Sequence, residues 1–126
     1  YDCVICTQTL LCIYNVRDAV RTLHRILKPG GALLATVPGI SQISRYDMDR
    51  WGDYWRFTTL SARKLCGEFF PESALEIRAH GNVLVSVAFL HGLAAEELSA
   101  DELDTADPDY ETLITVKATK PGAVVG

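Results

Sequence analysis

The chain has 126 residues, a formal net charge of −4, and 48% hydrophobic against 22% charged residues. That length and balance suit one globular domain and exclude disordered and collagen-like classes. The mild negative charge gives no electrostatic footprint for nucleic acid, and no apolar run is long enough for a membrane partner or span.

The first residue is Tyr1, inside the apolar run Tyr1-Asp2-Cys3-Val4-Ile5-Cys6. The run predicts a strand buried on both faces, as in a parallel sheet. A chain that opens mid-strand reads as cut from a longer one. Cys3 and Cys6 are an odd number of positions apart, so a strand points them to opposite faces and no shared metal is expected. With Cys12 and Cys66 they are expected as buried free thiols of a reducing compartment, the cytoplasm.

Val16, Ala19, Val20, Leu23, Ile26 and Leu27 recur at helical spacing, with Asn15 as N-cap and Asp18 three residues on. Lys28-Pro29-Gly30-Gly31 stops that helix, since Pro cannot continue it and Gly supplies the turn. Ala32 to Val37 is a second apolar strand, which completes one βαβ unit with parallel strands. Ile40 to Phe57 has no clean period and is dense in Trp, Tyr, Arg and Asp. A long loop of that composition inside a compact domain is usually functional. Thr58 or Thr59 then caps a helix that buries Ala62, Leu65, Cys66 and Phe69. Leu75, Ile77 and Ala79 alternate with Glu76, Arg78 and His80 as a third strand. Val83 to Leu98 predicts a buried apolar helix, Ser99 to Asp109 an acidic loop, and Tyr110 to Ala118 a fourth strand. The domain therefore covers residues 1–120, with 121–126 as a tail.

Tyr1-Asp2-Cys3-Val4-Ile5, His24-Arg25-Ile26-Leu27-Lys28-Pro29-Gly30-Gly31, Leu33-Leu34 and Val37-Pro38 follow one another in the order seen in class I methyltransferases that use S-adenosylmethionine. The chain resembles the C-terminal half of that Rossmann-like family, and Tyr54-Trp55-Arg56-Phe57-Thr58 is similar to members found with sugar and polysaccharide genes. The resemblance implies an α/β fold: half of a methyltransferase sheet of about four strands with flanking helices. Two strands run parallel, a terminal one antiparallel, in the order first, second, fourth, third. The family's Gly-rich cofactor loop and its ribose-holding carboxylate both precede anything that matches Tyr1. No Gly-x-Gly stands before a helix here, and Gly30-Gly31 follows one. S-adenosylmethionine is thus the cofactor of the parent family, and this chain alone is not expected to bind it or to be active.

By the same resemblance Thr7 and Gln8, at the end of the first strand, flank the cofactor. Arg45, Tyr46, Tyr54, Trp55 and Arg56 on the long loop are candidates for substrate binding. Asp47 and Asp53 are candidates for a general base, needed only where the acceptor has a proton to lose. The competing reading of the loop is structural: the aromatic residues pack it down while Arg56 pairs with an Asp. His24, His80 and His91 have no partner at metal-ligand spacing. Two functions stay open, a fragment of a methyltransferase and a non-catalytic assembly protein derived from the half-fold. An NAD-dependent oxidoreductase fits the Lys-Pro-Gly-Gly helix end less well. A sheet that lost its central neighbour would leave Tyr1–Cys6 as an open edge, so a homodimer joined through that strand is expected.

Overall fold

The computed structural model describes residues 1–124, so the last two residues of the predicted tail, 125 and 126, lie outside it. The chain runs β1 (Cys3–Thr7), α1 (Val16–Ile26), β2 (Ala32–Pro38), α2 (Arg45–Met48), α3 (Thr59–Gly67), β3 (Leu75–His80), α4 (Val83–Leu90), α5 (Ala100–Asp104) and β4 (Leu113–Thr119), with three short 3-10 turns between. The four strands form one sheet in the order β1-β2-β4-β3. β1 and β2 are parallel, and β4 is antiparallel to both β2 and β3.

Helix α1 begins where Asn15 accepts from the Asp18 amide at 3.3 Å. At its other end Lys120 donates to the carbonyls of His24 and Leu27 at 3.0 and 2.9 Å, satisfying acceptors that a helix end otherwise leaves open. Gly30 takes φ +81°, and a Cβ on Gly31 would stand 2.9 Å from the carbonyl oxygens of Tyr1 and Lys28. The Lys-Pro-Gly-Gly turn is thus a place where the start of β1 passes too close for any side chain. Thr58, not Thr59, caps α3, in a reciprocal pair with Ser61.

The core lies on one face of the sheet. Leu33, Val37 and Ile114 point down onto Val20 of α1 and onto Phe70 just beyond α3, and all five are fully buried. Ala62 and Cys66 are the buried residues of α3, whereas Leu65 and Phe69 are only partly covered. The opposite face carries no helix layer among the described residues. It presents Ile5, Thr7, Leu34 and Thr36 beside Arg78, His80 and Lys117.

That one-sided cover corrects the expectation for the first strand. β1 spans Cys3–Thr7, and Ile5 is 71% exposed, because the strand is an edge with one bare face. The segment after β3 also differs. Helix α4 stops at Leu90, where Gly92 at φ +77° turns the chain and its amide bonds Phe89. Only Ser86 and Ala88 of α4 are buried, while Val83, Leu84, Val87, Phe89 and Leu90 stay exposed, since nothing among the described residues packs over its outer side. The acidic segment contains α5, begun by a Ser99–Glu102 capping box. β4 begins at Leu113 rather than Tyr110. No described helix is long and apolar enough to cross a membrane, and the four cysteines are free thiols, Cys3 exposed and only Cys66 fully buried.

Candidate active site

In open α/β sheets, ligands bind outside the carboxyl ends of the parallel strands. Here that edge is the end of β1 and β2, with the loop of residues 39–58 folded above it. The loop is held by the segment after β1. The amides of Tyr54 and Trp55 donate to the Leu11 carbonyl at 2.9 and 3.3 Å. The Trp55 indole donates to the carbonyls of Ile13 and Tyr14 at 3.0 and 3.2 Å, and the Tyr14 ring stacks on Trp55 and meets Tyr54 edge-on.

Within the loop, Ser44 caps the single turn of α2, and the Asp47 carbonyl collects the amides of Arg50, Trp51 and Gly52 at 2.8–3.1 Å. Gly52 sits at φ +110° under the Tyr54 ring, where a Cβ would lie 2.3 Å from ring carbons. The turn ends in a clamp. Asp53, whose side chain is 0% exposed, accepts from the Ser44 amide at 2.8 Å and from both terminal nitrogens of Arg56 at 2.6 and 3.0 Å. The Arg56 hydrogen bonds hold the Asp53 carboxyl below the usual carboxylate range, and Asp53 in turn raises the guanidinium. Arg56 also donates to the carbonyls of Ser41, Gln42 and Trp55 at 3.4, 2.6 and 2.9 Å.

Between this loop, the sheet edge and α4 lies an open cleft of about 460 Å³. Gln8, Asp47, Asp53 and Arg56 line it, together with Leu11, Pro38, Phe89 and Leu113. Gln8 is the one non-glycine residue with positive φ among the described residues, at +48°. Its amide is fixed to Thr36, at 2.9 Å from the carbonyl and 3.2 Å from the hydroxyl. Backbone in a sparsely populated region persists where its surroundings over-determine it, often at functional sites.

The structure thus brings four of the residues singled out from sequence to one cleft. Thr7 lines the neighbouring hollow on the bare sheet face instead. Arg45, Tyr46, Tyr54 and Trp55 do not line the cleft. Arg45 reaches the Met48 sulfur, Tyr46 meets Trp51 and carries Arg50 on its face at 3.5 Å, and Tyr54 and Trp55 pack the loop down. Leu11, Pro38, Phe89, Thr112 and Leu113 also line it, beside Ser41, Gln42 and Ser44 of the loop, and were not foreseen. Pro38 was readable as the end of a parallel strand. Phe89 and Leu113 were not: the expected strand order sets β4 beside β2, but no local pattern marks which residues of α4 and β4 turn toward the cleft.

The residues present do not fit a whole S-adenosylmethionine. Its adenosine and ribose call for a glycine-rich turn between a strand and a helix and for a carboxylate. Gly39 follows β2, but a Cβ there would lie 1.9 Å from the Glu111 carbonyl oxygen, so this glycine serves strand packing. Gly30 and Gly31 lie at the opposite end of the strands. Thr7 and Gln8, at the end of β1, line the bare sheet face and the cleft respectively. Among the described residues no three His, Cys, Asp or Glu side chains are grouped to hold a metal ion.

A family model described as a methyltransferase domain matches residues 1–82. No curated protein matches the chain. Among solved structures, Haemonchus contortus phosphoethanolamine N-methyltransferase 2, in complex with phosphomonomethylethanolamine and S-adenosylhomocysteine, superposes with a TM-score of 0.56 at 14% identity, over 96% of this chain and 34% of that one. A chain of the Haloferax volcanii complex containing the Trm112 methyltransferase activator gives 0.55 at 17% identity, over 95% of this chain and 54% of that one. The [4+2]-cyclase SpnF gives 0.56 at 20% identity, over 98% and 52%. The chain therefore spans about half the length of these proteins or less, and at such identities the likeness is one of fold.

Proposed function

From the chain's membership of the methyltransferase-domain family, we propose that it forms the acceptor-binding half of an S-adenosylmethionine-dependent methyltransferase, with the cofactor's main grip supplied by polypeptide outside this sequence. The observation that carries this reading is a juxtaposition. The acceptor-sized cleft opens at the end of β1, and among the described residues no strand pairs with the side of β1 away from β2. Gln8 faces the cleft and Thr7 the bare face, so the strand end divides the two compartments.

The cofactor supplies the methyl group. Methyl transfer is a displacement that depends on approach and orientation, and the part of this chain is to hold the acceptor in place. The Asp53–Arg56 clamp positions the loop, and Leu11, Pro38 and Phe89 supply the apolar wall against which the acceptor would rest. Asp47 is the carboxylate left to meet the acceptor. The cyclase among the structural neighbours marks why fold alone does not fix the reaction.

The alternative is a non-catalytic assembly protein built on the same half-fold. The open edge of β1 favours it: two copies would pair through Tyr1–Cys6 in one eight-stranded sheet. The DNA upstream of the Tyr1 codon separates the readings. An in-frame strand and Gly-rich loop, with methyl-donor binding and transfer by the extended chain, supports the enzyme. A start codon or unrelated sequence there sinks it in favour of the assembly protein.

A further inference from the structure

We infer that the cleft takes an acceptor whose reacting end donates a hydrogen bond and bears no negative charge, an amine or an alcohol on an apolar body; this rests on the acceptor-binding reading above. A guanidinium has five N–H groups. In Arg56, the one cation lining the cleft among the described residues, Nε–H serves Ser41, one terminal nitrogen serves Asp53 and Trp55, and the other serves Gln42 and Asp53. All five are committed, so none remains to receive a phosphate or carboxylate.

The negative side is not balanced in the same way. Asp53 is neutralised by Arg56, with the Ser44 amide as a further donor. Asp47 also lines the cleft, and its carboxylate meets no donor among the described residues, while its backbone carbonyl is pinned by three amides. The cations nearest in sequence are engaged elsewhere, Arg45 with the Met48 sulfur and Arg50 over the Tyr46 ring. The other polar side chains of the lining, Gln8, Ser41, Gln42, Ser44 and Thr112, are neutral and bring no charge to offset Asp47. An incoming anion would face an uncompensated carboxylate in a partly desolvated cleft, whereas an N–H or O–H donor would satisfy it. Leu11, Pro38, Phe89 and Leu113 offer the apolar body its contact surface.

Three probes with one aromatic body test this: 2-phenylethylamine, 2-phenylethanol and 3-phenylpropanoate. Each is titrated into the isotope-labelled chain while the amide signals of Gln8, Asp47 and Phe89 are followed. The amine should bind roughly tenfold or more tightly than the carboxylate, from the opposite signs of their interaction with Asp47, with the alcohol between. Asp47→Asn should bring all three within about twofold of one another. Phe89→Ala should weaken all three and leave their order unchanged. Equal or tighter binding of the carboxylate, an order that survives Asp47→Asn, shifts outside the cleft, or no binding of any probe overturns the inference. The readout needs no cofactor, so the binding order of the probes is scored separately from the upstream-sequence test, and failure of one is distinguishable from failure of the other.

Discussion

Asp53→Ala should destabilise the chain by about 3 kcal/mol at pH 7. The perturbation removes the acceptor of three hydrogen bonds, two from Arg56 and one from the Ser44 amide. Breaking a buried ion pair by deleting one partner costs about 3–5 kcal/mol, because the other charge is left behind. The lower end applies here, since Arg56 is 27% exposed and keeps three carbonyl partners. For a chain of this size that corresponds to a fall in Tm of roughly 8–15 °C. Urea unfolding followed by tryptophan fluorescence is the assay, as Trp51 and Trp55 lie in the same loop. The sign of the pH dependence follows from the depressed Asp53 carboxyl. Its stabilisation is fully present above the ordinary carboxylate pKa of about 4 and is lost as pH falls through the lower folded value. The gap between wild type and Asp53→Ala should therefore be flat from pH 7 to 5 and narrow below about pH 4. A variant within about 0.5 kcal/mol of wild type at pH 7, or a gap that widens on acidification, would refute the clamp.

Gln8→Gly should stabilise the chain by about 0.5–1 kcal/mol, because glycine takes the φ of +48° without strain, whereas Gln8→Val should destabilise it in the same urea assay. Phe70→Ala should lower stability by about 3–5 kcal/mol, since Phe70 is 1% exposed and packs edge-on against His24. Burial pushes the Cys66 thiol up to about 11, so thiol labelling of the native chain at pH 8 should modify exposed Cys3 first; labelling of both at one rate contradicts that. If isolated copies pair through β1, light scattering at about 100 μM should give the mass of two chains, a concentration at which even a modest interface is populated. Val4→Pro should return the monomer with β2, β3 and β4 intact, and a wild-type monomer at that concentration removes the proposal.

The βαβ unit was legible because its signals are local. Asn15 marks the start of α1, Lys28-Pro29-Gly30-Gly31 marks its end, and Leu33 to Val37 has the composition of a buried strand. Residue composition does not say what covers a segment. The apolar run from Val83 predicts burial, yet in α4 it faces outward, since cover is a long-range property and nothing described lies over it. Ile5 fails the two-faced expectation for the same reason. In the site, Asp53 and Arg56 stand three apart in a loop, a spacing that reads equally as two binding groups or one ion pair. The structure places them as a pair, and Asp47 as a carboxylate without a partner among the described residues. The strand order that brings β4 between β2 and β3 was expected from the family resemblance, but that Phe89 and Leu113 face the cleft depends on long-range packing with no mark in the loop's own sequence.

The central claim, that this chain carries the acceptor side of a methyltransferase and only one wall of the cofactor site, is tested most directly by calorimetric titration of S-adenosylmethionine into the purified chain, with amide shifts read in parallel. The account predicts a Kd weaker than about 10 μM, the equivalent of roughly −7 kcal/mol, and shifts gathered at Thr7 and Gln8. Binding at or below that value, or shifts centred away from the end of β1, would contradict it.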